Sequence, residues 1–117
     1  MSIARAERLH DVPLPDGRKL AVAEYGAEEG YPLLFFHGTP GSHLLARLVE
    51  KEAAQYGFRL LAPDRPGLGY SDPHPERTLA SFVEDMKVVL DHFGLGRVGL
   101  VGISGGGPYG LACAHAM

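Results

Sequence analysis

Cysteine is almost missing from these 117 residues: Cys113 stands alone, so neither a disulfide framework nor a cysteine-based zinc site is available. No apolar run approaches membrane-spanning length, and the opening decapeptide mixes Arg5, Glu7 and Arg8 where a secretion signal would carry an apolar core. A cytoplasmic location with no membrane partner is the default expectation. Basic excess is lacking too, since the formal charge is −3 and no Lys/Arg stripe occurs, which argues against a nucleic-acid partner.

What is present belongs to a globular chain. Hydrophobic residues make up 45% and charged residues 21%, and the length suffices for a single domain with a usable core. Most of the 16 glycines and 9 prolines fall in loops between apolar segments and form no repeat. Residues 6–12 predict a short first strand. The Asp16-Gly17 turn signal then leads into an alternating strand over 19–25, which reads as a hairpin. Leu33, Leu34, Phe35 and Phe36 are apolar without interruption, the pattern of a strand covered on both faces.

Leu44, Leu45, Leu48, Val49, Ala53 and Tyr56 recur at helical spacing, with Ser42 as N-cap and Gly57 as terminator. A brief strand over 59–62 ends at Pro63. Residues 64–72 read as a loop, with Tyr70 and Ser71 packed beneath the site. Leu79, Phe82, Val83, Met86, Val89, Leu90 and Phe93 share one helical face, capped by Thr78 and stopped at Gly94. Strands alternating with helices over short loops predict an α/β fold: an antiparallel opening hairpin, then parallel strands with helices on both faces.

The chemistry concentrates at residues 98–109. An apolar run from Val98 to Ile103 delivers Ser104 into Gly105-Gly106-Gly107, and an Ala-rich helix follows. Gly102-Ile103-Ser104-Gly105-Gly106 fits G-x-S-x-G, in which a serine tops a sharp strand-to-helix turn and glycines allow backbone to pack on either side. Serine between glycines is also common in plain turns. A second strand, 33–36, ends in another Gly-rich loop, His37-Gly38-Thr39-Pro40-Gly41-Ser42. Acyl transfer at a serine needs two backbone N–H groups aimed at the developing oxyanion, one following the nucleophile and one from an earlier strand loop. Gly105 and Thr39 occupy those two positions.

With H-G-T-P-G-S, D-R-P-G-L-G-Y-S-D and G-I-S-G-G-G-P-Y in order, the chain from about Asp16 onward resembles the serine-nucleophile branch of the α/β-hydrolase family. It looks like the N-terminal part of such a domain, so that residues 1–117 read as a single, incomplete core domain. The resemblance implies Ser104 as nucleophile, an oxyanion hole from the Thr39 and Gly105 amides, and supporting loops built on His37, Gly38, Pro40, Gly102 and Gly106. In the family that histidine organises its loop by hydrogen bonding rather than by proton transfer. The implied substrate is a small acyl compound, an ester, thioester, lactone or peptide. Epoxide hydrolases and dehalogenases share the fold but place aspartate at the nucleophile. No metal or organic cofactor is implied.

A serine triad of this family runs Ser, Asp or Glu, His. The thirteen residues after Ser104 hold no carboxylate and one histidine, His115, which eleven helical residues would carry roughly 16 Å away. The 117 residues alone should therefore be nearly inert. Asp64 and Asp72 precede Ser104 and read as loop-organising residues, Tyr109 and Cys113 as helix packing, and His10, His43, His74 and His92 as solvated side chains, with His74 the candidate among them to line a cleft. Two other readings stand beside the enzyme. One is a non-catalytic truncated homologue or binding module. The other is a dinucleotide-binding fragment, because Gly105 to Gly110 also fits G-x-G-x-x-G, although no acidic residue about twenty positions on accompanies it. If the strand over Val98 to Ile103 is internal to a larger sheet, here it becomes an edge open to self-association.

Overall fold

The computed structural model describes residues 8–38 and 41–116, and of Ser104 its backbone only. Five strands, β1 (Arg8–Pro13), β2 (Lys19–Gly26), β3 (Tyr31–Phe36), β4 (Phe58–Pro63) and β5 (Gly99–Gly102), form one sheet in the order β1-β2-β4-β3-β5. The first two make the expected antiparallel hairpin, with Val12 opposite Leu20 and Gly17 at a φ of 92° in the turn. β2 also runs antiparallel to β4, whereas β4, β3 and β5 are mutually parallel. Of the first predicted strand, Ala6 and Glu7 lie outside the described residues.

Alternation sorts each strand's side chains onto two faces. Leu34, Phe36 and Leu61 join Val12, Leu20 and Val22 on one face, beneath α2 (Leu79–His92) and α3 (Gly107–Ala116). Phe35, Leu60 and Ala62 join Ala23 and Tyr25 on the other face, beneath α1 (Glu50–Gln55) and the segment before it. Helices on both faces explain why β3 and β4 carry apolar residues at nearly every position. On the larger face, Phe82 meets Phe36 and Tyr109 edge to face at centroid distances of 5.5 and 4.8 Å. Cys113 is buried there as an inert thiol, its pKa pushed up to about 11 by desolvation.

α2 starts where the sequence placed it. Thr78 accepts from the Ser81 amide at 3.0 Å, and the Ser81 hydroxyl accepts from the Thr78 amide at 2.8 Å, a reciprocal cap. The segment after Ser42 departs from its expectation. It is a 3₁₀ helix over His43–Val49, and only then does the short α1 begin. Three residues per turn put His43 and Ala46 on one buried face, while Leu44, Leu48, Val49 and Tyr56 stay exposed. Leu44, Leu45 and Leu48 mimic a 3.6-residue stripe, whereas the positions that turn inward are His43 and Ala46.

β5 pairs only with β3 among the described strands, leaving its other edge open. Beside that edge runs a groove of about 590 Å³, floored by Leu90, Leu95, Val98, Leu100 and Cys113 and rimmed by Lys87, Asp91 and Arg97. An open apolar edge is a template for pairing with another chain. The purified 117-residue chain is expected to associate with itself at micromolar concentration in sedimentation velocity, and Val101→Lys to reduce that association. A monodisperse wild-type monomer with a cooperative melt would contradict this expectation.

Candidate active site

The parallel strands β4, β3 and β5 all deliver their following loops to one end of the sheet. β5 enters it beside β3: Phe36 stands opposite Gly102, and the Ile103 amide donates to the Phe36 carbonyl at 3.0 Å. A single 3₁₀ turn, Ser104–Gly106, then leads into α3. That turn packs so closely on β3 that a Cβ on Gly106 would lie 2.2 Å from the Phe36 carbonyl oxygen and 2.7 Å from that of His37. A Cβ on Gly102 would lie 2.9 Å from the Gly106 carbonyl oxygen. The two glycines flanking Ser104 are thus needed for separate reasons, one against the next strand and one against the turn itself. Gly106→Ala is expected to cost about 1–3 kcal/mol, as overpacking against backbone does; urea unfolding checks this, with Gly107→Ala, where a Cβ meets nothing within 4 Å, as the milder control.

The loop after β3 is tied down by the loop after β4. His37 is fully buried, its Nδ1–H donating to the Gly38 carbonyl at 2.8 Å while its Nε2 accepts from the Arg65 amide at 3.2 Å. These two bonds fix a neutral tautomer. The Arg65 guanidinium donates to the His37 carbonyl and lies 4.5 Å over the Tyr109 ring. At the far end of the same loop, the His43 amide donates to Asp64 Oδ1 at 2.6 Å, and the His43 Nδ1–H lies 2.8 Å from both carboxylate oxygens. Consecutive residues Asp64 and Arg65 therefore clamp the two ends of the loop that carries Thr39. Thr39, Pro40 and the Ser104 side chain lie outside the described residues.

Burial would raise the pKa of Asp64. The hydrogen bond from the His43 ring, joined by the Tyr70 and His43 amides, outweighs it and holds the carboxyl below its ordinary value of 3.8. Burial also holds the His37 imidazole below its ordinary 6.5, and the Arg65 cation pushes the same way. Both shifts have one sign of consequence. The unfolded chain takes up His37's proton first as the pH falls below 6.5, and Asp64's stabilising charge is lost as the pH falls further through its depressed value. Urea midpoints should accordingly decline from pH 7.5 to pH 5 and again toward pH 3; a midpoint that rises on acidification would contradict this.

The structure supports most of the sequence reading of polar residues and corrects part of it. Asp64 and Asp72 organise loops as expected, Asp72 accepting from the Lys19 amide at 2.7 Å. Ser71 is buried, accepting from the Ala21 amide and donating to the Asp64 carbonyl, whereas Tyr70 stays 64% exposed. His115 and His92 are exposed. His43 is not solvated: it is 2% exposed, because Asp64 offers it an acceptor that twenty-one residues of intervening chain conceal from any local pattern. His10 likewise pairs with the buried Glu24 at 2.6 Å. Arg65, which the sequence reading passed over, joins the His37 loop to Tyr109; its place directly after Asp64 in D-R-P-G was the available signal. Among the described residues no group of three His, Cys, Asp or Glu is placed to hold a metal, and no helix is long and apolar enough to cross a membrane.

A strand-turn-helix with obligatory glycines, docked on a clamped loop at the carboxyl end of a mixed sheet, is the arrangement of an α/β enzyme site. The family model of the alpha/beta hydrolase fold matches residues 31–116, and the chain belongs to that family. It is 31% identical over 111 residues to an uncharacterised hydrolase of Saccharomyces cerevisiae, covering 92% of this chain and 37% of that protein. It is 36% identical over 93 residues to a soluble epoxide hydrolase of Corynebacterium sp., covering 76% and 31%. The solved structure of an esterase from Exiguobacterium antarcticum superposes with a TM-score of 0.79 at 25% identity, covering 91% of this chain and 39% of that one. The chain spans about a third of the length of the curated relatives it matches.

Proposed function

We propose that this chain carries the nucleophile and oxyanion half of a serine hydrolase acting on a carboxylic ester or related acyl substrate. Ser104 attacks the acyl carbonyl, and the amides of Thr39 and Gly105 receive the charge that develops on its oxygen. Serine at the position where epoxide hydrolases use aspartate favours acyl substrates over epoxides. The observation that supports the reading is the close seat of Gly106 on the Phe36 and His37 carbonyls, which puts the backbone of the 104–106 turn against the start of the 37–42 loop. Arg65 and Asp64 serve as positioning residues, because a donor helps only if it is already aimed when the charge appears.

Serine is a weak nucleophile at its free pKa and requires a base oriented by a third group. In this reading both come from polypeptide other than these 117 residues, and the chain alone is close to inert. A fluorophosphonate probe tests it: in the polypeptide that carries this chain together with a downstream acid and histidine, peptide mapping should place the adduct on Ser104. Failure of that intact protein to label would leave the non-catalytic reading, a binding module on the same fold.

A further inference from the structure

Tyr70 touches both an open cleft and a buried imidazole. It lines a cleft of about 320 Å³ together with Leu9, Asp11, Lys19 and Ala21. The Tyr70 ring also lies against that of His43, with centroids 5.7 Å apart and planes tilted by 33°. His43 spends its Nδ1–H on Asp64, and its Nε2 is buried with no hydrogen-bond partner among the described residues. A buried polar atom without a partner is uncommon and calls for an occupant. The Tyr70 side chain is mostly exposed, while its amide donates to Asp64 Oδ2 at 3.0 Å.

We propose that Nε2 of His43 is a binding point for one small hydroxylic molecule, water in the resting protein, which reaches it from the cleft past the Tyr70 side chain. A hydroxyl suits the site on chemical grounds. It donates to the Nε2 lone pair of a neutral ring and accepts from the Nε2–H of a charged one, so the site is satisfied in either state. Asp64 acts as the positioning residue, since its two oxygens fix which ring nitrogen faces the guest. The binding point does not depend on the acyl-transfer reading.

Modification by diethyl pyrocarbonate, resolved residue by residue by mass spectrometry, tests the path past Tyr70. In the wild-type chain His43 should react far more slowly than exposed His115, and Tyr70→Ala should raise its rate by about tenfold or more, as removal of a local barrier does. His37, equally buried but with both ring nitrogens bonded, should stay unreactive. An unchanged rate at His43 overturns the proposal. So does a rate at His37 that rises in step, because Tyr70 would then be holding the fold rather than covering a site. The guest is read separately: a rotating-frame cross-peak from the His43 ring protons to a bound water is expected in the wild-type chain, and its absence also overturns the proposal.

Discussion

Ser104→Ala in the polypeptide that combines this chain with a downstream acid and histidine should lower turnover of an activated ester by on the order of 10⁶ and abolish fluorophosphonate labelling. The size of the effect follows from the triad acting as a unit: without the nucleophile, base and acid have nothing to activate, and only binding and the oxyanion donors remain. In the 117-residue chain by itself the same substitution should change almost nothing, since on the proposed reading the base belongs to other polypeptide. Measuring both proteins against one substrate distinguishes the proposed mechanism from adventitious ester cleavage by surface histidines. Equal losses in the long and the short polypeptide, or none in either, would remove Ser104 from the mechanism.

Asp64→Ala should destabilise the chain by about 3–5 kcal/mol, because it removes a buried carboxylate and leaves the buried donors bonded to it unsatisfied. Asp64 is fully buried and accepts from the His43 ring, the His43 amide and the Tyr70 amide. Truncation strands all three donors. A loss of that size is a large part of the roughly 5–15 kcal/mol that holds a domain together, so the variant is expected to be largely unfolded at 37 °C. Asp72→Ala supplies the comparison, because Asp72 is only half-buried and its carboxylate bonds the Lys19 amide in an exposed setting; about 1 kcal/mol is expected there. Urea titrations of the two variants decide the matter, and equal costs would contradict the clamp.

Elements whose cause is local were legible in the sequence. β3 announced itself by four consecutive apolar residues, the Thr78 cap by a hydroxyl at the start of an apolar stripe, and the turns at Gly17, Gly57 and Gly94 by residues that tolerate the φ of 92°, 79° and 68° found there. The tight turn of the candidate site was legible for the same reason, since the glycines two residues before and after Ser104 sit where an added Cβ would crowd backbone. What stayed hidden depends on distant partners. His43 is buried because Asp64, on another loop, accepts a hydrogen bond from its ring, and nothing within ten residues of His43 signals that. The 3₁₀ segment was hidden by its own leucines: exposed Leu44 and Leu48 mimic a stripe, and the residues that turn inward are a histidine and an alanine. Arg65 was overlooked because its role lies in its amide and guanidinium reaching His37, a contact between two loops.

The central claim is that the hydroxyl of residue 104 shares one crevice with the main-chain amides of residues 39 and 105. Its most direct test is the structure of a phosphonate adduct of the polypeptide that includes the downstream acid and histidine. Phosphorus bonded to the Ser104 Oγ, with the phosphoryl oxygen about 2.7–3.1 Å from the Thr39 and Gly105 nitrogens, is the expected result. An adduct on another residue, or a phosphoryl oxygen turned away from both amides, would contradict it.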